Sequence, residues 1–250
     1  MQMEFKFILS YVLILIALYY SFKEKLGVEK ELLYSSIRAF IQLLILGYTL
    51  HYVFKIDNPI GLILILCLMI VFASWTAQKR VNLVENGYLK AVISIGLSSF
   101  LVLFSLIAIK IISFKPNEII PVGGMIIGNS LNVYTLTVDR FKGEIGSKID
   151  VIENIIALGA TLKQALYIMK KQSIKSALIP TINNLQTVGI IHIPGITTGM
   201  LLAGAKPLEA VSYQLAIMYM MVSVALFTAI ITLNFVYYEI FKTAVSQKEE

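Results

Sequence analysis

The sequence predicts an all-α, polytopic membrane protein. Three observations carry that prediction. Hydrophobic residues make up 58% of the 250 residues and charged residues only 14%, with a mean hydropathy of +0.81. An average soluble domain carries about 25% charged residues. Apolar runs of about 20 residues, long enough to cross a bilayer as a helix, recur along the whole chain. These runs are solidly apolar, whereas membrane β-barrel strands alternate over about ten residues.

Seven segments follow, at roughly 5–22, 32–54, 60–77, 91–113, 119–138, 174–203 and 209–238. The first follows Lys6 and leaves through Tyr19-Tyr20-Ser21-Phe22. No small-x-small cleavage site stands there, so it reads as a retained span. The second carries Arg38 and Gln42 on one helical face. The third begins after Pro59 and ends near Trp75, an interfacial aromatic ahead of Lys79 and Arg80. The fourth, 91–113, and the fifth, 119–138, complete a run of five. The sixth holds Pro180, Asn183, Asn184, Gly189, Pro194 and Gly195, a composition that predicts a broken helix. Glu209 opens the seventh. The whole chain, 1–250, reads as one transmembrane domain, with a coupling segment at about 139–175.

Basic residues set the orientation. Fifteen Lys and Arg fall in the connections 23–31, 78–90 and 139–175 and in the tail after 238; five fall on the other side. The positive-inside bias places the N-terminus outside and the C-terminus in the cytoplasm of a cell (inner) membrane. That bias also accounts for the net charge of +6 without nucleic acid. Cys67 stands alone in an apolar run, so it forms no intrachain disulfide and reads as buried in lipid or protein.

One charged island interrupts the apolar pattern. Glu153 to Ala165 reads ENIIALGATLKQA and falls on the cytoplasmic side. Gly159 is costly inside a helix and suited to its C-terminal end. Thr161 and Gln164 form a capping-box pair. The expectation is a helix, a tight turn at Gly159-Ala160, and a second helix. A rigid knob of this kind is what a separate ATPase needs to grip. The other reading is an interfacial amphipathic helix without a partner.

Glu153 and Gly159, six apart and followed by Ala160-Thr161, resemble the coupling loop of ABC-importer permeases, although Asn154 and Ile155 replace its Ala-Ala pair and Gln172 stands where its downstream Pro falls; with Leu158 these are the expected ATPase-coupling residues. A longer resemblance covers nearly the whole chain. PVGGMIIGNSLN (121–132), LGAT (158–161), IPTINNLQTVGIIHIPGITTGMLLAG (179–204) and KPLEAVSYQ (206–214) resemble the FetB-type permease family. That family includes a bacterial iron-export permease and the plant aluminium-sensitivity permeases. The resemblance implies an ABC permease that exports iron, another metal ion or a small solute. It implies a P-loop ATPase partner that uses the ATP, while this chain binds no cofactor itself.

Inside the membrane, Gly124 and Gly128 form GxxxG, and Gly195, Gly199 and Ala203 repeat the small-residue spacing. Such faces let helices approach closely, and internal packing is preferred here over a dimer seam. Polar residues at membrane depth usually face a cavity or one another. Asn129 and Asn132, Asn183, Asn184 and Gln186, with Glu209 at an outer gate, are therefore candidates for the transport path. Interhelical hydrogen bonding is the competing role for each Asn.

A metal site is not legible. His51 and His192 are the two histidines and neither has a nearby His, Cys or carboxylate cluster. Met125, Met200, Met218, Met220 and Met221 read as packing rather than as soft ligands. No GxxxxGK[ST] motif and no nucleophile–base set is present, which argues against an ATPase or another enzyme. Seven spans make half of a permease, so two copies are expected to pair in the bilayer. The alternatives are an ion-coupled secondary transporter, suited by the broken sixth span, and a membrane-integral scaffold or enzyme.

Overall fold

A computed structural model describes residues 2–56, 58–82 and 86–249, with side chains described from 11 to 246 within those ranges. The Lys6 and Lys248 side chains of the charge count lie outside them. Helices dominate, and the chain divides into two compact units, 1–56 and 57–250.

The first unit is a helical hairpin. Helix α1 (Gln2–Lys23) and helix α2 (Glu29–Val53) pack on each other. Gly27 turns the connection at φ 75°. Tyr11 Oη donates to the Ser36 carbonyl at 3.1 Å, and the Tyr11 ring meets Phe40 edge-on at 6.0 Å. Ser21 Oγ donates to Glu29 at 2.8 Å and closes the turn.

The second unit is a bundle around one central helix. Its elements are α3 (Pro59–Val81), α4 (Gly87–Ala108), α5 (Pro116–Ser147), α6 (Ile149–Ala157), α7 (Leu162–Ala165), α8 (Tyr167–Thr187), α9 (Gly195–Leu202) and α10 (Pro207–Glu249). Helix α5 touches α3, α4, α8 and α10. It buries Ile119, Val122, Ile126, Tyr134, Val138, Phe141 and Ile145 among them. Small residues permit the close approach: Gly123 and Ser130 on α5 are buried, as are Ala225, Thr228 and Ala229 on α10.

The fold class is as expected, a polytopic all-α membrane protein. Among the described residues, α2, α3, α4, α5 and α10 are long and apolar enough to cross a membrane, and Tyr11–Lys23 of α1 is a shorter apolar helix. The sixth expected segment is broken, as its composition predicted. Pro180 does not break it, because α8 continues to Thr187. The interruption lies at 188–194, where Gly189 adopts φ 81° and donates its N–H to the His192 carbonyl at 2.9 Å. Helix α5 runs well past the expected end at 138, because Thr137, Phe141 and Ile145 keep a buried face in register.

Candidate coupling hairpin and transport path

Three contacts gather the basic ends of the helices. Lys142 Nζ donates to the Val81 carbonyl at 2.6 Å, tying α5 to the end of α3. Lys90 in the first turn of α4 pairs with Glu239 of α10. Lys170 in the first turn of α8 donates to Asn234 Oδ1 at 3.0 Å and sits 4.7 Å above the Tyr237 ring. Burial holds the Lys170 ammonium below the usual lysine range, and Lys163 adds to the shift. The end of α3, the start of α4, residues 139–175 and the end of α10 therefore share one end of the bundle.

The charged island projects from that end. Helix α6 closes in a Schellman turn: Gly159 N–H donates to the Ile156 carbonyl at 2.9 Å and Ala160 N–H to the Ile155 carbonyl at 3.3 Å. Gly159 takes φ 96°, a conformation that glycine adopts without steric cost. Helix α7 then opens with the expected capping box. Thr161 N–H donates to Gln164 Oε1 at 2.9 Å, and Gln164 N–H donates to Thr161 Oγ1 at 3.4 Å. Leu158, at the turn, is 89% exposed, while Ile152, Ala165 and Leu166 anchor the hairpin in the core. Glu153 is half-buried on α6.

The candidate path residues separate. Asn129 turns inward and donates from Nδ2 to the Met221 carbonyl at 3.0 Å, an interhelical bond between α5 and α10. Asn132 is exposed and lines a groove of about 440 Å³ with Arg80, Thr135, Asp139 and Lys142. Asn183, Asn184 and Gln186 are exposed on the last turns of α8, and Glu209 is exposed in the first turn of α10. Arg80, Asp139 and Lys142 were not expected at a site, since nothing in their spacing placed α3 and α5 side by side.

The candidate packing glycines separate too. A Cβ on Gly124 would lie 3.1 Å from Met69 Cε, whereas nothing stands within 4 Å of one on Gly128, Gly195 or Gly199. Gly123 is tighter than Gly124, with Leu66 Cδ2 at 2.4 Å, and the GxxxG spacing of its neighbour masked it.

Just after the break in the α8–α9 segment the chain packs back into the bundle. Thr197 Oγ1 donates to Gln214 Oε1 at 3.4 Å, and Ile196 packs against the buried cluster that includes Ile112, Ile126 and Ile217. Gln214 lies two turns inside α10, about 10 Å from its start. Residues 188–194 precede Thr197 on the inward side. Irregular backbone inside a membrane must line water or be covered by protein. Among the described residues, no group of three or more His, Cys, Asp and Glu side chains could hold a metal ion. Cys67 is exposed on α3 and lines an apolar groove with Phe100 and Phe104.

No solved structure matches the chain. It is 37% identical over 230 residues to the protein named "Probable iron export permease protein FetB" of Escherichia coli (strain K12), covering 92% of this chain and 88% of that one. It is 35% identical over 212 residues to "UPF0014 membrane protein STAR2" of Oryza sativa subsp. japonica, covering 85% and 74%. It is 34% identical over 219 residues to "Protein ALUMINUM SENSITIVE 3" of Arabidopsis thaliana, covering 88% and 80%. The family model described as "Uncharacterised protein family (UPF0014)" matches residues 4–241, and the chain belongs to that family of multi-pass membrane proteins.

Proposed function

We propose that this protein is the permease subunit of an ABC-type exporter, driven by a separate P-loop ATPase. The capped α6–α7 hairpin carries the reading. It is short, doubly hydrogen-bonded at its turn, anchored by Ile152 and Leu166, and tipped by an exposed leucine. A rigid tip on an anchored base can pass force into α5 and α8, the helices that flank it. Under this reading the hairpin end is cytoplasmic, as the Lys and Arg distribution argues.

The cargo class rests on kinship with a protein named as an iron export permease. Iron, another metal ion or a small solute would pass along the exposed polar residues Asn132, Asn183, Asn184 and Gln186. Two copies would face each other across that path, each hairpin engaging one ATPase copy. ATP is then consumed by the partner and not by this chain.

The test is reconstitution. The permease is purified with a candidate ATPase and placed in inverted vesicles with iron as the first cargo. ATP-dependent iron uptake into those vesicles is expected, with loss of uptake when the ATPase is omitted. Failure to bind an ATPase, together with transport driven by a proton gradient alone, would overturn the proposal. That outcome favours the secondary-transporter reading, which the break between α8 and α9 also suits.

A further inference from the structure

Helices α4, α5 and α10 pack on one another, and the seam between them is polar. Midway along it four hydroxyls meet. Thr228 Oγ1 donates to Ser98 Oγ at 2.8 Å. Ser130 Oγ lies 3.2 Å from Thr228 Oγ1, 3.4 Å from Ser98 Oγ and 3.3 Å from Ser99 Oγ. All four residues are buried. At the hairpin end of the same seam, Lys90 pairs with Glu239. The seam is thus pinned at two levels. Ser98 and Lys90 are about 12 Å apart along α4, and Thr228 and Glu239 about 16 Å along α10.

Between those levels stand Ser94, Tyr134 and Thr232, each one turn from Ser98, Ser130 and Thr228 respectively. All three are 0% exposed. Their oxygens have no hydrogen-bond partner in the protein, and neither do Thr137 Oγ1 and Glu239 Oε2. Two buried hydroxyls elsewhere return to a carbonyl one turn back, Ser74 to Ile70 and Ser173 to Met169. Ser94, Thr137 and Thr232 do not. A buried oxygen without a partner is costly and uncommon, so several on one seam call for a shared ligand. That ligand must both donate and accept. A metal cation cannot donate and prefers carboxylates or carbonyls, while the one carboxylate named here is held by Lys90.

We propose that a file of bound water occupies the α4–α5–α10 seam and joins the Ser98–Ser130–Thr228 cluster to the Lys90–Glu239 pair. Each buried water makes about three hydrogen bonds, so one water can serve more than one of these oxygens. Water-bridged hydroxyls exchange partners as helices slide. The file would let α10 shift against α4 and α5 without stripping any polar group bare, the small shear by which packed helices rearrange.

The test uses the full chain in lipid nanodiscs. Radiolytic hydroxyl labelling in ¹⁸O-water is expected to mark the wholly buried Tyr134, with slow exchange of the labelling water. Labelling of the exposed Tyr167 with none at Tyr134 would overturn the proposal. Ser94→Ala and Thr232→Val provide a second reading. Loss of a water bridge is expected to lower Tm by about 2–4 °C for each. An unchanged or raised Tm is the behaviour of a partnerless hydroxyl in a dry seam, and it too would overturn the proposal. Should Thr232→Val fail to accumulate, Ser94→Ala and the labelling decide.

Discussion

Gly123 and Gly124 sit side by side on α5, yet they answer to different neighbours. A side chain on Gly123 would drive into Leu66, whose Cδ2 lies 2.4 Å from the Cβ position. At Gly124 the nearest atom is the flexible end of Met69, at 3.1 Å. Leu66 is itself buried, so it has little room to retreat. Gly123→Val is therefore expected to destabilise the bundle by about 1–3 kcal/mol, the usual cost of overpacking. Gly124→Ala should cost less, because methionine rearranges easily. Thermal unfolding in detergent checks both, and equal melting of Gly123→Val and wild type would show the α3–α5 contact to be loose. The GxxxG pattern in the sequence found the right turn of α5 but not the right residue. Neighbouring helix positions differ by about 100° in direction, and which of two adjacent glycines faces a partner depends on where α3 lies. Asn129 shows the same limit. Its type suggested a path or a bond, and only the position of the Met221 carbonyl on α10 selects the bond.

The α6–α7 hairpin is held by two local devices, and each can be removed alone. Gly159→Val forces a β-branched residue into φ 96°, at a cost of roughly 1–2 kcal/mol. Thr161→Ala removes the cap on Gln164 N–H, worth about 1 kcal/mol. Both changes are exposed and lie outside the bundle core. Melting of the bundle should therefore fall by no more than about 2–4 °C. Co-purification with the ATPase should fall several-fold if the hairpin is the coupling knob. Unaltered ATPase binding by both variants would reduce the hairpin to an interfacial element. This element was legible because its information is local. Glycine at a helix end and a Thr–Gln pair three residues apart act on their own backbone, whatever surrounds them. The polar seam was not legible. Ser94 and Ser98 on α4, and Thr228 and Thr232 on α10, are spaced by four in apolar helices, which is a signal once the three helices are known to meet. The extension of α5 beyond 138 was hidden for a related reason: its later turns, with Asp139, Arg140 and Lys142, look like a loop until α3 and α10 are seen to cover the other face.

At the scale of the whole bundle, the apolar runs determined which segments become helices, while the exposed polar residues now raise the question of what covers them. Gly128 and Asn132 of α5, Asn183, Asn184 and Gln186 of α8, and Gly199 of α9 are all exposed in the single chain. Ile190, in the break between α8 and α9, is 88% exposed. Amides and irregular backbone inside a membrane do not face lipid. A second copy of the chain, with water between the two, would meet both needs and would give Gly199 the close neighbour it lacks within one chain. The paired arrangement makes a directional forecast. In a Cys67→Ser background, single cysteines are introduced at Asn183, Gly199 and Phe104, and a short bifunctional maleimide is added to membranes. Asn183→Cys and Gly199→Cys are expected to yield a covalent dimer. Phe104→Cys, on the apolar groove side of α4, should stay monomeric. A dimer from Phe104→Cys with none from the α8 and α9 positions would move the interface to the opposite face. The path would then have to be sought away from Asn183 and Gln186.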